Sequence, residues 1–187
     1  MHNPRDQITL ILICFACILV TGCITNTGDG ISKQKPAPTA VSEIEWMTIP
    51  ITDAVTGKQT SIAELGSQGK PIIVHTFAVW CPACSMQLRE TKKLSENNPD
   101  KFIILGVDID PRENTAQVKN HIEKNKFAGI FVTAPKEFTQ SLIQTVGTQV
   151  VQSLPQTIII SNSSSTYIGD GVFPEKKLES ILSQLPS

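Results

Sequence analysis

The sequence predicts an α/β domain in which a mixed β-sheet is covered by helices on both faces. Three observations lead there. An apolar run from Pro71 to Ala78 reads as a strand buried on both sides, and a helix-like segment follows it directly. Downstream, short apolar or β-branched runs alternate with segments of helical period as far as Gln156. The chain then closes with a strand pair joined by a Ser/Asn turn and a last amphipathic helix, which makes the sheet mixed.

The chain has 187 residues, about one domain with appendages, and 40% apolar residues are enough for a core. A formal net charge of −1 with no basic block gives no sign of a nucleic-acid partner, and none is expected. Of the five cysteines, Cys14 and Cys17 lie in an N-terminal apolar run, Cys23 closes it, and Cys81 and Cys84 stand alone in the rest. One remaining pair excludes a disulfide-stapled scaffold and a four-cysteine zinc site.

Residues 1–23 read as a targeting segment. Ile8 to Val20 is apolar apart from Thr9, which suits a signal-peptide core and is short for a membrane span. Its ending, Leu19-Val20-Thr21-Gly22-Cys23, resembles a prokaryotic lipobox, which implies a lipid on Cys23. The alternative is an uncleaved anchor helix. Either reading places the domain outside the cytoplasm and tethers it to a membrane. Cys14 and Cys17, inside the apolar core, read as small apolar residues. Residues 24–42, rich in Thr, Gly, Ser, Lys and Pro, read as a flexible tether.

The folded domain is expected over residues 43–187. Ile44 to Ile51 reads as a strand, Asp53 to Gly57 as a turn, and Lys58 to Ser61 as the returning strand of a hairpin. Ile62 to Leu65 is a short helical turn. After the Pro71–Ala78 strand, a helix is expected from Cys81 to Asn97, stopped by Asn97-Asn98-Pro99. Phe102 to Asp108 is the next strand, and Thr115 to Lys126 a helix with Val118 and Ile122 inward. Gly129 to Thr133 is a strand, followed by a helix from Pro135 to Val146 that ends at Gly147. Gln156 to Ile160 is a strand, Ser161 to Ser165 a turn and Thr166 to Val172 an edge strand. A helix from Pro174 to Leu185 carries an apolar stripe of Leu178, Ile181, Leu182 and Leu185.

The chemistry centres on Cys81-Pro82-Ala83-Cys84, at the junction of strand and helix. The first helical turn has unpaired N–H groups and the positive end of the helix dipole, and both favour a thiolate. Pro82 fits because the first helical position needs no N–H. Cys84, Leu88 and Thr91 share a helix face, so Cys84 is expected to be shielded and Cys81 exposed at the helix start.

The segment Gly69-Lys70-Pro71-Ile72-Ile73-Val74-His75-Thr76-Phe77-Ala78-Val79-Trp80-Cys81-Pro82-Ala83-Cys84 resembles the thioredoxin fold, and more narrowly the membrane-tethered TlpA/ResA group of thiol–disulfide oxidoreductases. Leu154-Pro155-Gln156-Thr157 resembles that group's cis-proline loop, and the strand–helix segment from about Thr115 to Val146 resembles its insertion. His75 departs from the pattern, since relatives carry Asp or Asn there. The resemblance implies a redox-active Cys81–Cys84 disulfide as the working group, with no other cofactor. It makes Cys81 the attacking nucleophile and Cys84 the resolving thiol. It implies a cis Pro155, with the Leu154 backbone pairing with bound substrate. Trp80 and Pro82 stand beside the nucleophile and offer apolar contact. His75 is expected beneath Cys84, where a neutral ring could take the Cys84 proton and a charged one would make the pair more oxidising.

The activity so implied is dithiol–disulfide exchange on protein substrates outside the cytoplasm, in the reducing direction, with electrons from a membrane thiol protein. Substrates of the resembling group include apocytochrome c thiols and other extracytoplasmic disulfides. Two alternatives stay open: a disulfide oxidase or isomerase, and a copper-binding assembly protein on the same fold. The copper-delivery relatives separate their cysteines by three residues, whereas Cys81 and Cys84 are separated by two. No metal site is expected. His121 has no partner identifiable from sequence.

Overall fold

The computed structural model describes residues 45–185. The expected signal segment, Cys23 and the tether lie outside the described residues. The elements in order are α1 (Glu45–Thr48), β1 (Ile51–Thr52), β2 (Gln59–Thr60), α2 (Ile62–Gly66), β3 (Ile72–Phe77), α3 (Pro82–Asn97), β4 (Ile103–Asp108), α4 (Thr115–Asn125), β5 (Ile130–Thr133), α5 (Lys136–Val146), α6 (Gln149–Gln152), β6 (Gln156–Ser161), β7 (Ser164–Asp170) and α7 (Glu175–Leu182).

The main sheet has the order β5-β4-β3-β6-β7. Strands β3, β4 and β5 are parallel, and β6 and β7 run antiparallel to their neighbours. The sheet is therefore mixed, as expected. All six residues of β3 are buried, because helices cover both faces of this central strand. Ile72 and Val74 point into one core with Leu105, Val132, Phe138 and Leu142. Phe77 points into the other, with Cys81, Cys84, Leu88 and Phe131. The period of two along β3 thus sends His75 to the side that carries the cysteines.

The N-terminal strand expected over Ile44 to Ile51 is corrected. Glu45–Thr48 is one helical turn and only Ile51–Thr52 is strand, paired with β2. Trp46 and Met47 are consecutive and both buried. A strand would send neighbours to opposite faces, whereas a helical turn lets both enter one core. Trp46 packs edge-on against Phe138 of α5, with ring centroids 5.6 Å apart.

The last hairpin is tighter than expected. Asn162 and Ser163 alone form its turn, both in the left-handed region at φ 51° and 63°. This is the two-residue geometry that follows strand twist, and Asn tolerates it. In the closing helix only Leu178 of the expected stripe is buried; Ile181, Leu182 and Leu185 are half-buried. Helix α6, not expected from the sequence, leads the chain into Leu154-Pro155.

Gly106 of β4, opposite His75 and Phe131 in register, lets the aromatic pair beneath the site close up. A Cβ there would lie 2.5 Å from Phe131 Cε1 and 3.3 Å from Phe77 Cε1. Phe77 and Phe131 meet edge-on at 6.0 Å. Gly106→Ala is expected to cost about 1–3 kcal/mol by overpacking. Chemical denaturation measures it, and an unchanged midpoint would show that the two rings can move aside.

Candidate active site

Strand β3 ends at Phe77, and a short turn, closed by Cys81 N–H donating to Ala78 C=O at 3.1 Å, carries the chain into α3. Cys81 is the N-cap of α3 and Pro82 its first residue. Cys81 and Cys84 are joined as a disulfide, with Cα atoms 5.3 Å apart. The Cys84 N–H donates to Cys81 Sγ at 3.1 Å. That amide belongs to the first helical turn, so a free helix donor already points at the sulfur that would carry negative charge.

Cys81 is less exposed than its place at the helix start led one to expect. It is 5% exposed and Cys84 1%. The correction has a packing cause: Cys81 joins the buried cluster of Phe77, Cys84, Leu88 and Phe131, and it reaches the surface only where it lines a depression of about 420 Å³ with Trp80, Ile109 and Leu154. The asymmetry survives in another form, since Cys84 is not among the residues lining that depression.

The Leu154–Pro155 peptide is cis, and Pro155 is buried. Leu154 is half-buried and packs against the cysteine-bearing core. Trp80 is 61% exposed, the most exposed large apolar residue among those described. Its indole N–H donates to Asp110 Oδ2 at 2.7 Å. Arg112 grips the same carboxylate through Nε at 2.9 Å and Nη2 at 2.6 Å. The Arg112 hydrogen bonds, with that from Trp80, hold the Asp110 carboxyl well below the usual range.

His75 is completely buried. Its Nε2 lies 2.8 Å from Thr91 Oγ1 and its Nδ1 3.1 Å from Thr157 Oγ1. Thr91 Oγ1 donates to Gln87 C=O at 3.1 Å and accepts from Gln87 Nε2 at 3.1 Å. Since the single Thr91 proton is committed, His75 Nε2 is assigned as the N–H donor and Nδ1 as the acceptor from Thr157. Burial pushes the His75 pKa down to about 4, partly opposed by the Gln156 backbone. The ring is uncharged at neutral pH. The sequence placed it beneath Cys84; in the structure its hydrogen-bond partners are threonine hydroxyls, with no sulfur among them.

Other contacts around the site escaped the sequence reading. Gln87, on α3, ties the helix to the C-terminal segment by accepting from Phe173 N–H at 2.6 Å. His121, on α4, lies 3.3 Å from Ser85 Oγ, next to Cys84 in sequence. Glu113 accepts the Val79 N–H at 2.8 Å. None stands in a motif; the one available signal was Asp108-Ile109-Asp110, two carboxylates at the end of an apolar strand.

A family model described as Redoxin matches residues 32–182. Thioredoxin 2 of Plasmodium falciparum (isolate 3D7) is 39% identical over 46 residues, 25% of this chain and 29% of that protein. The match thus spans under a third of the curated relative's length. The fold is similar to that of a secreted Mycobacterium tuberculosis disulfide oxidoreductase homologous to E. coli DsbE, at 16% identity and TM-score 0.58, covering 75% of this chain and 98% of that one. StoA from Bacillus subtilis matches at 18% identity and TM-score 0.54, over 73% and 96% of the two chains. The pneumococcal exposed lipoprotein thioredoxin Etrx1, from Streptococcus pneumoniae strain TIGR4, matches at 19% identity and TM-score 0.58, over 73% and 98%. These likenesses bear out the thioredoxin fold that the sequence resemblance implied.

Proposed function

Given that the chain belongs to the Redoxin family, we propose that it is an extracytoplasmic thiol–disulfide oxidoreductase of the TlpA/ResA type that reduces protein disulfides through Cys81 and Cys84. The observation that carries this reading is the disulfide itself: it sits at the N-terminus of α3, with Cys81 lining a surface depression and Cys84 sealed behind it. In the reduced form the Cys81 thiolate attacks one sulfur of a substrate disulfide. A mixed disulfide forms and the other substrate sulfur leaves as a thiol. Cys84, losing its proton, then attacks Cys81 Sγ, the second substrate sulfur leaves, and the pair is left oxidised. A membrane thiol protein returns two electrons and completes the cycle. The substrate chain lies in the depression between Trp80 and Leu154, with the Leu154 backbone pairing to it as an added strand.

Support for the location comes from the lipobox-like Cys23, which would be the lipid anchor, and residues 24–42 as its tether. Neighbours described as secreted or as an exposed lipoprotein agree with it. Among the described residues no helix is long and apolar enough to cross a membrane. The disulfide form of the haem-site cysteines of apocytochrome c and other extracytoplasmic protein disulfides are the proposed substrate classes. The reducing direction is favoured over an oxidase by His75: a buried ring without charge at neutral pH does not stabilise a thiolate, so it removes the one local reason for an unusually oxidising pair.

The test is the reduction potential of the Cys81–Cys84 pair, measured against glutathione or dithiothreitol buffers. A value near or below about −250 mV, in thioredoxin's range, is expected. A value near about −120 mV, that of a strong oxidant, would overturn the reducing direction.

A further inference from the structure

Two carboxyls, one at the end of β4 and one in the loop after it, have no part in the exchange chemistry above. Glu113 Oε2 accepts the N–H of Val79, two residues before Cys81, at 2.8 Å. That bond pins the turn between β3 and α3. Asp108, the last residue of β4, is 1% exposed. Its Oδ1 accepts the Asp110 N–H at 3.1 Å, while its Oδ2 is buried with no hydrogen-bond partner. An ionised carboxylate with a bare buried oxygen is costly, and a protonated one much less so.

Resting on the oxidoreductase reading, we propose that Glu113 and Asp108 form a paired positioning device for disulfide exchange: Glu113 fixes the turn that presents Cys81, and buried Asp108 carries the proton that keeps the pair singly charged. Burial pushes the Asp108 pKa up to about 7; the Asp110 N–H opposes it, while the charge and the hydrogen-bonding carboxyl of Glu113, and then the Asp110 charge, add to it. The charged and titratable groups around it are few. Asp110 is neutralised by Arg112. His75, on the neighbouring strand, is uncharged at neutral pH. His121 on α4 feels the Glu113 charge, and burial keeps its own pKa down. Cys81 and Cys84 titrate only when reduced.

The sign follows. Below neutral pH Asp108 is protonated, and Glu113 alone is charged and holds Val79. Above it Asp108 ionises, two close carboxylates repel, and Glu113 is driven off the Val79 amide.

The first experiment follows the Val79 amide by NMR in the oxidised full-length protein between pH 5.5 and 8.5. A chemical-shift inflection near neutral pH is expected, and it is expected to vanish in Asp108→Asn. Because that protein holds no substrate and no free thiol in the pair, the positioning device and the oxidoreductase reading are tested separately. The second experiment reads disulfide reduction with a cysteine-containing peptide. Glu113→Ala is expected to lower kcat/KM roughly tenfold, equal to about 1.4 kcal/mol. Glu113→Gln keeps an acceptor for Val79, so it is expected to restore most of that loss while losing the neutral inflection in the pH profile. A Val79 amide that does not titrate, or one whose inflection survives in Asp108→Asn, overturns the proposal. So does a Glu113→Gln variant as impaired as Glu113→Ala.

Discussion

Replacing Cys84 with serine is expected to turn the protein from a catalyst into a trap, stalled as a mixed disulfide between Cys81 and its substrate. Cys81 is the sulfur that lines the depression, and its Sγ already accepts the Cys84 N–H. Both features belong to α3 and its N-cap, so a serine at 84 leaves the attack on substrate intact. What it removes is the resolving thiol, sealed at 1% exposure where no small thiol from solution can easily substitute. Turnover of a protein disulfide is expected to fall by a thousandfold or more, roughly the scale of loss when a covalent participant is removed. Non-reducing gels should show a new adduct of the variant with substrate. Cys81→Ser should lose the same turnover and form no adduct. An adduct on Cys81→Ser instead would reverse the assigned roles of the two sulfurs.

The second large effect is on stability in mild acid, and it comes from His75. Folding lowers the pKa of this ring from 6.5 to about 4. The unfolded chain therefore binds a proton over a range where the folded chain does not. His75 contributes nothing unfavourable above the unfolded value. As pH falls from about 6.5 to about 4, stability falls with it, by on the order of 3 kcal/mol in all. Below pH 4 this group adds no further slope. Denaturant unfolding at pH 7 and pH 4 measures the difference. His75→Asn does not titrate and is expected to flatten that slope; a slope unchanged in the variant would assign it to carboxylates. His75→Asn also tests the expected proton-acceptor role: slower turnover would show that the Cys84 proton reaches the ring, whose two nitrogens are held by threonine hydroxyls. Unchanged exchange kinetics across pH would leave His75 a structural residue, held by Thr91 and Thr157.

Much of the fold was legible because its signals are local. The run from Pro71 to Ala78 can only be a strand buried on both faces, and Ile72–Phe77 is one. Cys81-Pro82 opens a helix, and Asn98-Pro99 follows its end at Asn97, through chemistry carried by those residues themselves. Cys84, Leu88 and Thr91 fall on one face by helical period, and all three are buried. Where the reading failed, packing from distant sequence had overridden the local pattern. The alternation around Trp46 looks like a strand, yet Phe138, far along the chain, draws Trp46 and Met47 into one core as a helical turn. The expected exposure of Cys81 failed for a similar reason, since Cys81 joins a buried cluster with Phe77, Leu88 and Phe131, against which Leu154 packs.

By itself the sequence determined the order of elements from β3 to α5, the redox pair, its placement at a helix N-terminus, and a histidine on the central strand. Those follow from residue spacing and backbone geometry, which neighbours in sequence impose on each other. Only the tertiary structure decided which groups the site residues meet. It set Thr157 and Thr91, from β6 and α3, on the two nitrogens of His75, and Glu113, more than thirty residues downstream, on the Val79 amide. It also buried Asp108 with one oxygen unpartnered. Hydrogen bonds and desolvation act over a few ångströms of space, and no spacing along the chain encodes which residues the sheet order β5-β4-β3-β6-β7 will bring that close.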